Sequence, residues 1–273
     1  MTGESAVKHE VKAVIFDLDD TLLWDERSVK ESFEAASVEA ARRTGVDAAA
    51  LEKAVRERAR ELYATYEPFP FTQMIGINPF EGLWARFDKG DQPQFRQLQE
   101  IAPVYRKEAW RLGLEDLGVI NEELSWELSD LFAAERRKRS YVYDETYQVL
   151  DELKGRVKLL LLTNGCPSLQ QEKLDGVPEL VPYFDHIVIS GTFGKGKPDT
   201  AIFRHALELL GTSPEETLMV GDKLTTDIRG ALDTGIPSVW INRVAHPPQS
   251  DIVPVYQIDS LQDLPQLAGI RNS

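Results

Sequence analysis

The sequence predicts an α/β fold: a Rossmann-like parallel-sheet core with an inserted all-helical cap domain. Three observations carry that reading. Apolar runs of strand length lie near the start, at 11–16, and recur in the second half, at 157–162, 186–189, 217–220 and 238–241. Helical patterns at 200–210 and 225–234 separate the later runs, with Gly211 and Gly235 placed where helices stop. Residues 24–140 carry almost no strand pattern and are dense in Ala, Glu, Arg and Leu at helical spacing.

Taken in order, the first run reads as a buried strand whose polar exit begins at Asp17. Helices are expected over 28–43 and 51–66. The stretch 67–91 carries Pro, Gly and Phe69, Phe71, Phe80, Trp84 and Phe87, and is expected to be a loop held down by aromatic packing. From 141 onward, strands alternate with helices, as in a doubly wound sheet. The expected division is therefore a discontinuous core, 8–23 and 141–273, with the cap at 24–140. The chain shows no internal repeat and no low-complexity tract.

A chain of 273 residues buries enough apolar surface to fold without staples. Its 42% hydrophobic and 28% charged content is ordinary for a soluble globular protein. A net charge of -14 repels polyanions, which argues against nucleic acid as a partner. No apolar run approaches the roughly 18 to 20 residues that cross a bilayer, so no membrane association is expected. Cys166 is the single cysteine, which excludes an intrachain disulfide, and no secretory pattern opens the chain; the cytoplasm is the expected compartment.

In open α/β sheets ligands bind beyond the carboxyl ends of the strands, so the strand exits hold the candidate chemistry. The first exit reads Asp17-Leu18-Asp19-Asp20-Thr21, and alternation puts Asp17 and Asp19 on one side. Such a pair suits phosphoryl chemistry, one carboxylate attacking phosphorus while its neighbour protonates the leaving oxygen. By itself the pair reads equally well as two polar strand-end acids. The second exit, Thr163-Asn164-Gly165, offers a hydroxyl and backbone amides to an anion, although Asn-Gly also favours a plain turn. The third, Lys195-Gly196-Lys197-Pro198-Asp199, puts Pro198 in the first turn of the next helix and Lys197 at its mouth, where an exposed loop lysine is the simpler reading. The fourth, Gly221-Asp222-Lys223-Leu224-Thr225-Thr226-Asp227, sets one acid at the exit and a second early in the next helix, where metal binding and helix capping are both open to Asp227. Gathering these acids without a cation costs roughly 1 to 4 kcal/mol per close pair, and oxygen ligands with phosphate chemistry point to Mg²⁺.

In this order and at these strand ends, the four motifs resemble those of the haloacid dehalogenase-like superfamily, and the segment between the first and second is similar to its type C1 cap. The Asp-Leu-Asp-Asp-Thr-Leu opening and the Gly-Asp-Lys-Leu-Thr-Thr-Asp-Ile stretch are similar to the subgroup holding N-acylneuraminate 9-phosphatase and bacterial nucleotidase-like phosphatases. Phe-Asp-Leu-Asp-Asp-Thr-Leu-Leu-Trp-Asp also resembles a bacillus-type group assigned as phosphoserine phosphatases. The resemblance implies a phosphatase acting on a small phosphorylated metabolite. Asp17 would be the nucleophile and a metal ligand, and Asp19 the acid/base that binds metal through its carbonyl. It further implies that Thr163 and Asn164 hold the phosphoryl group, that Lys197 stabilises its charge, and that Asp222 and Asp227 complete and support the Mg²⁺ site. Dehalogenases of the superfamily lack an acid/base at the position of Asp19, so that residue argues against dehalogenation. Sugar phosphates and nucleotides are the alternative substrates, and a non-catalytic phosphometabolite-binding module is the alternative class.

The remaining candidates read as structural. Cys166 has no base beside it in the sequence, and the histidines lack metal-ligand spacing. The run Arg136-Arg137-Lys138-Arg139 is expected to be a solvated helix end. Most of the aromatics of the insertion are expected in its core, with one or two facing substrate.

Overall fold

A computed structural model describes residues 10–247 and 251–271. Residues 8 and 9, including His9, and the last two residues of the second core segment lie outside the described residues. Six strands, β1 (Ala13–Phe16), β2 (Lys158–Thr163), β3 (His186–Ile189), β4 (Thr217–Gly221), β5 (Ser238–Ile241) and β6 (Tyr256–Ile258), form one sheet in the order β3-β2-β1-β4-β5-β6. Every pairing is parallel. The central strand β1 is flanked by β2 and β4, so the chain reverses its direction of winding there and opens a crevice at the strand exits.

Alternation along β1 explains why both faces of the sheet are apolar. Val14 and Phe16 pack with Leu159 and Leu161 in one cluster, and Ala13 and Ile15 pack with Leu160 and Leu162 in the other. Helices cover the two faces: α7 (Thr146–Leu153), α8 (Pro167–Asp175), α9 (Ser190–Phe193), α10 (Thr200–Leu210), α11 (Arg229–Thr234) and α12 (Leu264–Leu267). The expected stops hold, since Gly211 (φ 63°) and Gly235 (φ 81°) cap α10 and α11 in the left-handed region. The expected helix at 225–234 is split: Leu224–Ile228 is a π-helical turn and α11 follows it. Strand β6, three residues long at the sheet edge, was not expected from the apolar runs.

Between β1 and α7 lie six helices: α1 (Asp25–Thr44), α2 (Ala48–Thr65), α3 (Phe69–Ile75), α4 (Pro79–Gly82), α5 (Pro93–Asp116) and α6 (Glu122–Lys138). They share a hydrophobic cluster in which the rings of Phe33 and Phe132 lie 4.4 Å apart and Trp110 packs on both. The expected loop at 67–91 is anchored by buried aromatics, but its first part is helical. Pro79 at the first position of α4 and a reciprocal cap between Asn78 and Glu81 let a four-residue helix form there.

The basic run at the end of α6 departs from expectation. Arg136 is buried, pairs with Asp25 at 2.6 Å and lies over the Trp84 ring, while Arg137 pairs with Glu172 of α8 at 2.6 Å. Arg137 therefore fastens the insertion to the core, while Arg136 ties α6 to α1 and Trp84 within the insertion, because guanidinium planes satisfy carboxylates and aromatic faces together.

Phe203 of α10 has no exposure and fills the space that Gly230 of α11 leaves open, where an added Cβ would stand 2.1 Å from its ring. Phe203→Ala is expected to lower the free energy of unfolding by about 3 to 5 kcal/mol. Urea titration of wild type and variant measures this, and a loss below about 1 kcal/mol would contradict the packing described.

Candidate active site

The strand exits converge as the sheet order requires. Asp17 follows β1, its N–H bonded to the Val220 carbonyl of β4 at 2.9 Å, which sets it beside Asp222 at the neighbouring exit. Asp17, Asp222 and Asp227 offer carboxylate oxygens that all lie within 4.8 Å of one another. Lys197 reaches into this group from the loop after α9. Its Nζ donates to Asp17 Oδ1 at 2.5 Å and to the Leu162 carbonyl at 2.8 Å, and forms an ion pair with Asp227 Oδ1 at 2.7 Å.

Each of these groups is held by its own element. The π-helical turn brings Asp227 back so that its Oδ2 accepts the Lys223 N–H at 3.1 Å. A Cβ on Gly221 would stand 2.4 Å from the Asp227 carboxylate, so only glycine fits beneath it. Trp240 of β5 donates its indole N–H to the Asp222 carbonyl at 2.7 Å. Asn164 clamps the Lys197 loop: its Oδ1 accepts the Lys197 N–H at 2.8 Å and its Nδ2 donates to the Lys197 carbonyl at 3.0 Å. The Asn164 side chain is thereby committed to seating the lysine. Thr163 Oγ1 accepts from Gln170 Nε2 at 2.6 Å, and Lys195 stays exposed, paired with Asp199 at 3.0 Å.

Asp19 stands apart from the three converging acids. Its Oδ2 accepts from Lys173 Nζ at 2.8 Å and Gln170 Nε2 at 3.1 Å, while its Oδ1 is buried with no partner. Lys173 is itself buried and also pairs with Glu81 of α4 at 3.0 Å. Lys173, Gln170, Glu81 and Asp25 are the residues that sequence reasoning missed. One signal was present: Gln170 and Lys173 occupy positions on the buried stripe of α8 with Leu169 and Leu174, where apolar side chains belong.

The electrostatics follow from burial. Loss of water pushes the Asp17 carboxyl up; Lys197 opposes this and Asp227 adds to it. Asp222 is held well above the usual carboxylate range by burial, then by Asp17, Asp227 and Asp20. Burial raises Asp19 as well, opposed by Lys173. Three carboxylates against one ammonium leave excess negative charge on hard oxygen donors with no histidine or cysteine among them. That donor set suits Mg²⁺.

The site opens into a cleft of about 850 Å³. Its insertion side is polar, built by Gln73, Gly76, Asn78 and Glu81; neither Trp24, which stacks on Tyr143, nor the cluster rings Phe69, Phe71, Phe80 and Trp84 line it. The expectation that one or two of those aromatics face substrate is thus replaced by a wall of amides and a carboxylate, because the rings are spent on the insertion's own core. Cys166 is buried in the same cluster, in keeping with a structural role.

A profile of the haloacid dehalogenase-like hydrolases matches residues 11–235. The phosphoserine phosphatase of Thermus thermophilus is 36% identical over 258 residues, which span 93% of this chain and 98% of that protein. The N-acylneuraminate-9-phosphatase of Mus musculus is 37% identical over 166 residues, 59% of this chain and 66% of that one. In three dimensions the HAD-hydrolase YfnB of Bacillus subtilis superimposes with a TM-score of 0.63 at 21% identity, covering 95% of this chain and 99% of its own, a likeness of fold. The parallel sheet and its flanking helices have the fold of one class of α/β hydrolase. The protein belongs to the haloacid dehalogenase-like hydrolase family.

Asp20 supplies a test of these electrostatics. Its carboxyl is pushed up to about 7, mainly by burial, with Asp25, Asp19 and Glu26 adding like charge against the hydrogen bond from the Glu26 N–H. Unfolded, it titrates near about 4, so the folded chain holds the proton more tightly and this group's contribution to stability falls as pH rises from about 4 to about 7. Asp20→Asn keeps an acceptor for the Glu26 N–H and suits the left-handed backbone at this position (φ 59°). In EDTA-treated protein the variant is expected to raise Tm more at pH 8 than at pH 5. Equal shifts at the two pH values would contradict the assignment.

Proposed function

We propose that this hydrolase of phosphoric monoesters is a Mg²⁺-dependent phosphatase that turns over a small phosphorylated metabolite through a phosphorylated Asp17, with phosphoserine as the first candidate substrate. The observation that carries the reading is the pairing of roles in one cleft: Asp17 held by a buried lysine, and Asp19 with one oxygen fixed and the other unbonded. The phosphoserine phosphatase of Thermus thermophilus, similar along nearly its whole length, supports the choice of substrate. The polar wall of Gln73, Asn78 and Glu81 suits a polar leaving group. A sugar phosphate or nucleotide meets the same description, and the two classes separate by substrate panel.

Asp17 Oδ1 is engaged by Lys197, and Oδ2 has only a long contact, 3.4 Å, with the Thr21 hydroxyl. Oδ2 is therefore the oxygen that attacks phosphorus in line. The bond from phosphorus to the ester oxygen breaks, and Asp19 delivers its proton from Oδ1 to the departing alcohol. Asp19, now ionised, takes a proton from water; the resulting hydroxide attacks the aspartyl phosphate, releasing inorganic phosphate and restoring the Asp17 carboxylate. Lys197 balances charge on Asp17 and on the transferring group. Thr163 and the Asn164 backbone hold the phosphoryl oxygens, while the Asn164 side chain keeps Lys197 in register. Asp17, Asp222 and the Asp19 carbonyl, with Asp227 in support, would hold Mg²⁺, which would supply positive charge to the phosphoryl oxygens when bound. No helix among the described residues is long and apolar enough to cross a membrane, and the cytoplasm is the proposed compartment.

Phosphate release from a panel of phosphoserine, sugar phosphates and nucleotides is expected to require Mg²⁺, to stop with EDTA and to fall by at least about a thousandfold in Asp17→Asn. Turnover that survives in Asp17→Asn would contradict the proposed nucleophile.

A further inference from the structure

Lys173 is a buried ammonium whose charge is balanced by acids from three separate segments: Asp19 at 2.8 Å, Glu81 at 3.0 Å and Asp25 at 3.8 Å. Asp25 already has a closer partner, Arg136 at 2.6 Å, so the two short bonds of Lys173 go to the acid/base and to the insertion. Glu81 is not a free side chain. Its Oε2 accepts the Asn78 N–H at 2.9 Å, and Asn78 Oδ1 accepts from Phe80 and Glu81 in return, so the cap of α4 fixes Glu81 with Oε1 directed at Lys173.

On Asp19, both contacts fall on one oxygen. Lys173 and Gln170 share Oδ2, and Oδ1 is buried without a partner. A purely structural ion pair gains by engaging both carboxylate oxygens, and leaving a buried acceptor unbonded costs about 1 to 3 kcal/mol. Such a vacancy is tolerated where the atom has another task.

We infer that Lys173 is a positioning residue for the acid/base step: with Gln170 it fixes one oxygen of Asp19 so that the other serves the leaving group, and Glu81 makes this hold depend on the insertion being seated on the core. The inference rests on the phosphatase reading above. Its consequence is chemical rather than merely structural. A misaligned Asp19 harms esters whose alcohol needs a proton to depart, and harms far less the first step of an ester whose leaving group departs as a stable anion.

The test is the pre-steady-state burst of leaving-group release from phosphoserine and from p-nitrophenyl phosphate, with Mg²⁺, in wild type, Lys173→Met, Lys173→Arg and Glu81→Gln. Lys173→Met is expected to slow the phosphoserine burst by about a hundredfold, within the range general acid catalysis supplies, and the p-nitrophenyl burst at least about tenfold less than that. Lys173→Arg, which keeps the charge, is expected to recover part of the phosphoserine rate. Glu81→Gln is the milder variant should Lys173→Met fail to fold, and is expected to show the same bias toward the alkyl ester at about five- to tenfold. Equal losses on both esters, or no loss on either, would overturn the inference and leave the phosphatase reading intact. Turnover that survives Asp17→Asn would overturn both.

Discussion

The buried ammonium of Lys197 is the interaction on which the rest of this site depends. It stands within hydrogen-bonding distance of oxygens on three segments: Asp17 after β1, Leu162 in β2 and Asp227 in the π-helical turn after β4. Removing such a group from water is costly, and only close opposite charge with each proton satisfied offsets it. Burial alone would drive Lys197 toward neutrality, yet it is held above the ordinary lysine range because Asp17 and Asp227 outweigh that effect. The surrounding features serve this placement. Asn164 grips the lysine's backbone from both sides, and Gly221 leaves room for the Asp227 carboxylate.

A second layer of charge lies between core and insertion. Lys173 of α8 pairs with Asp19, Asp25 and Glu81, and Arg137 of α6 with Glu172, so ion pairs beside Asp19 fasten the insertion while its rings stay in its own core. This division explains why the cleft wall is polar. A helical unit of this size needs Phe33, Trp110, Phe132 and their neighbours for its own stability, which leaves short polar residues on α3 and around α4 to meet a substrate.

Much of this was legible in the sequence because it is local. A strand buried on both faces reads as an apolar run, and the residue after it is the one a parallel sheet presents to ligand; Asp17 and Asp222, whose carboxylates converge, are legible that way. The stops at Gly211 and Gly235 are local too. What escaped depends on distance along the chain. Glu81 and Lys173 are 92 residues apart, and no periodicity reports a contact of that kind. The side chain of Asn164 is turned to the Lys197 backbone 33 residues away, which its place in a turn-forming Asn-Gly pair does not reveal. Strand β6 is too short and too exposed to write an apolar run, and α4 exists because a cap and a proline supply what its length does not.

Asp17 is proposed to carry the phosphoryl group between the two halves of the reaction. Acid quench of the enzyme during Mg²⁺-dependent turnover, followed by mass spectrometry of its peptides, addresses this most directly. One added phosphoryl group is expected on the peptide containing Asp17, removed by hydroxylamine as an acyl phosphate should be. A phosphoryl group on any other residue, or an unmodified Asp17 in enzyme trapped while turning over with the intermediate's breakdown rate-limiting, would contradict it.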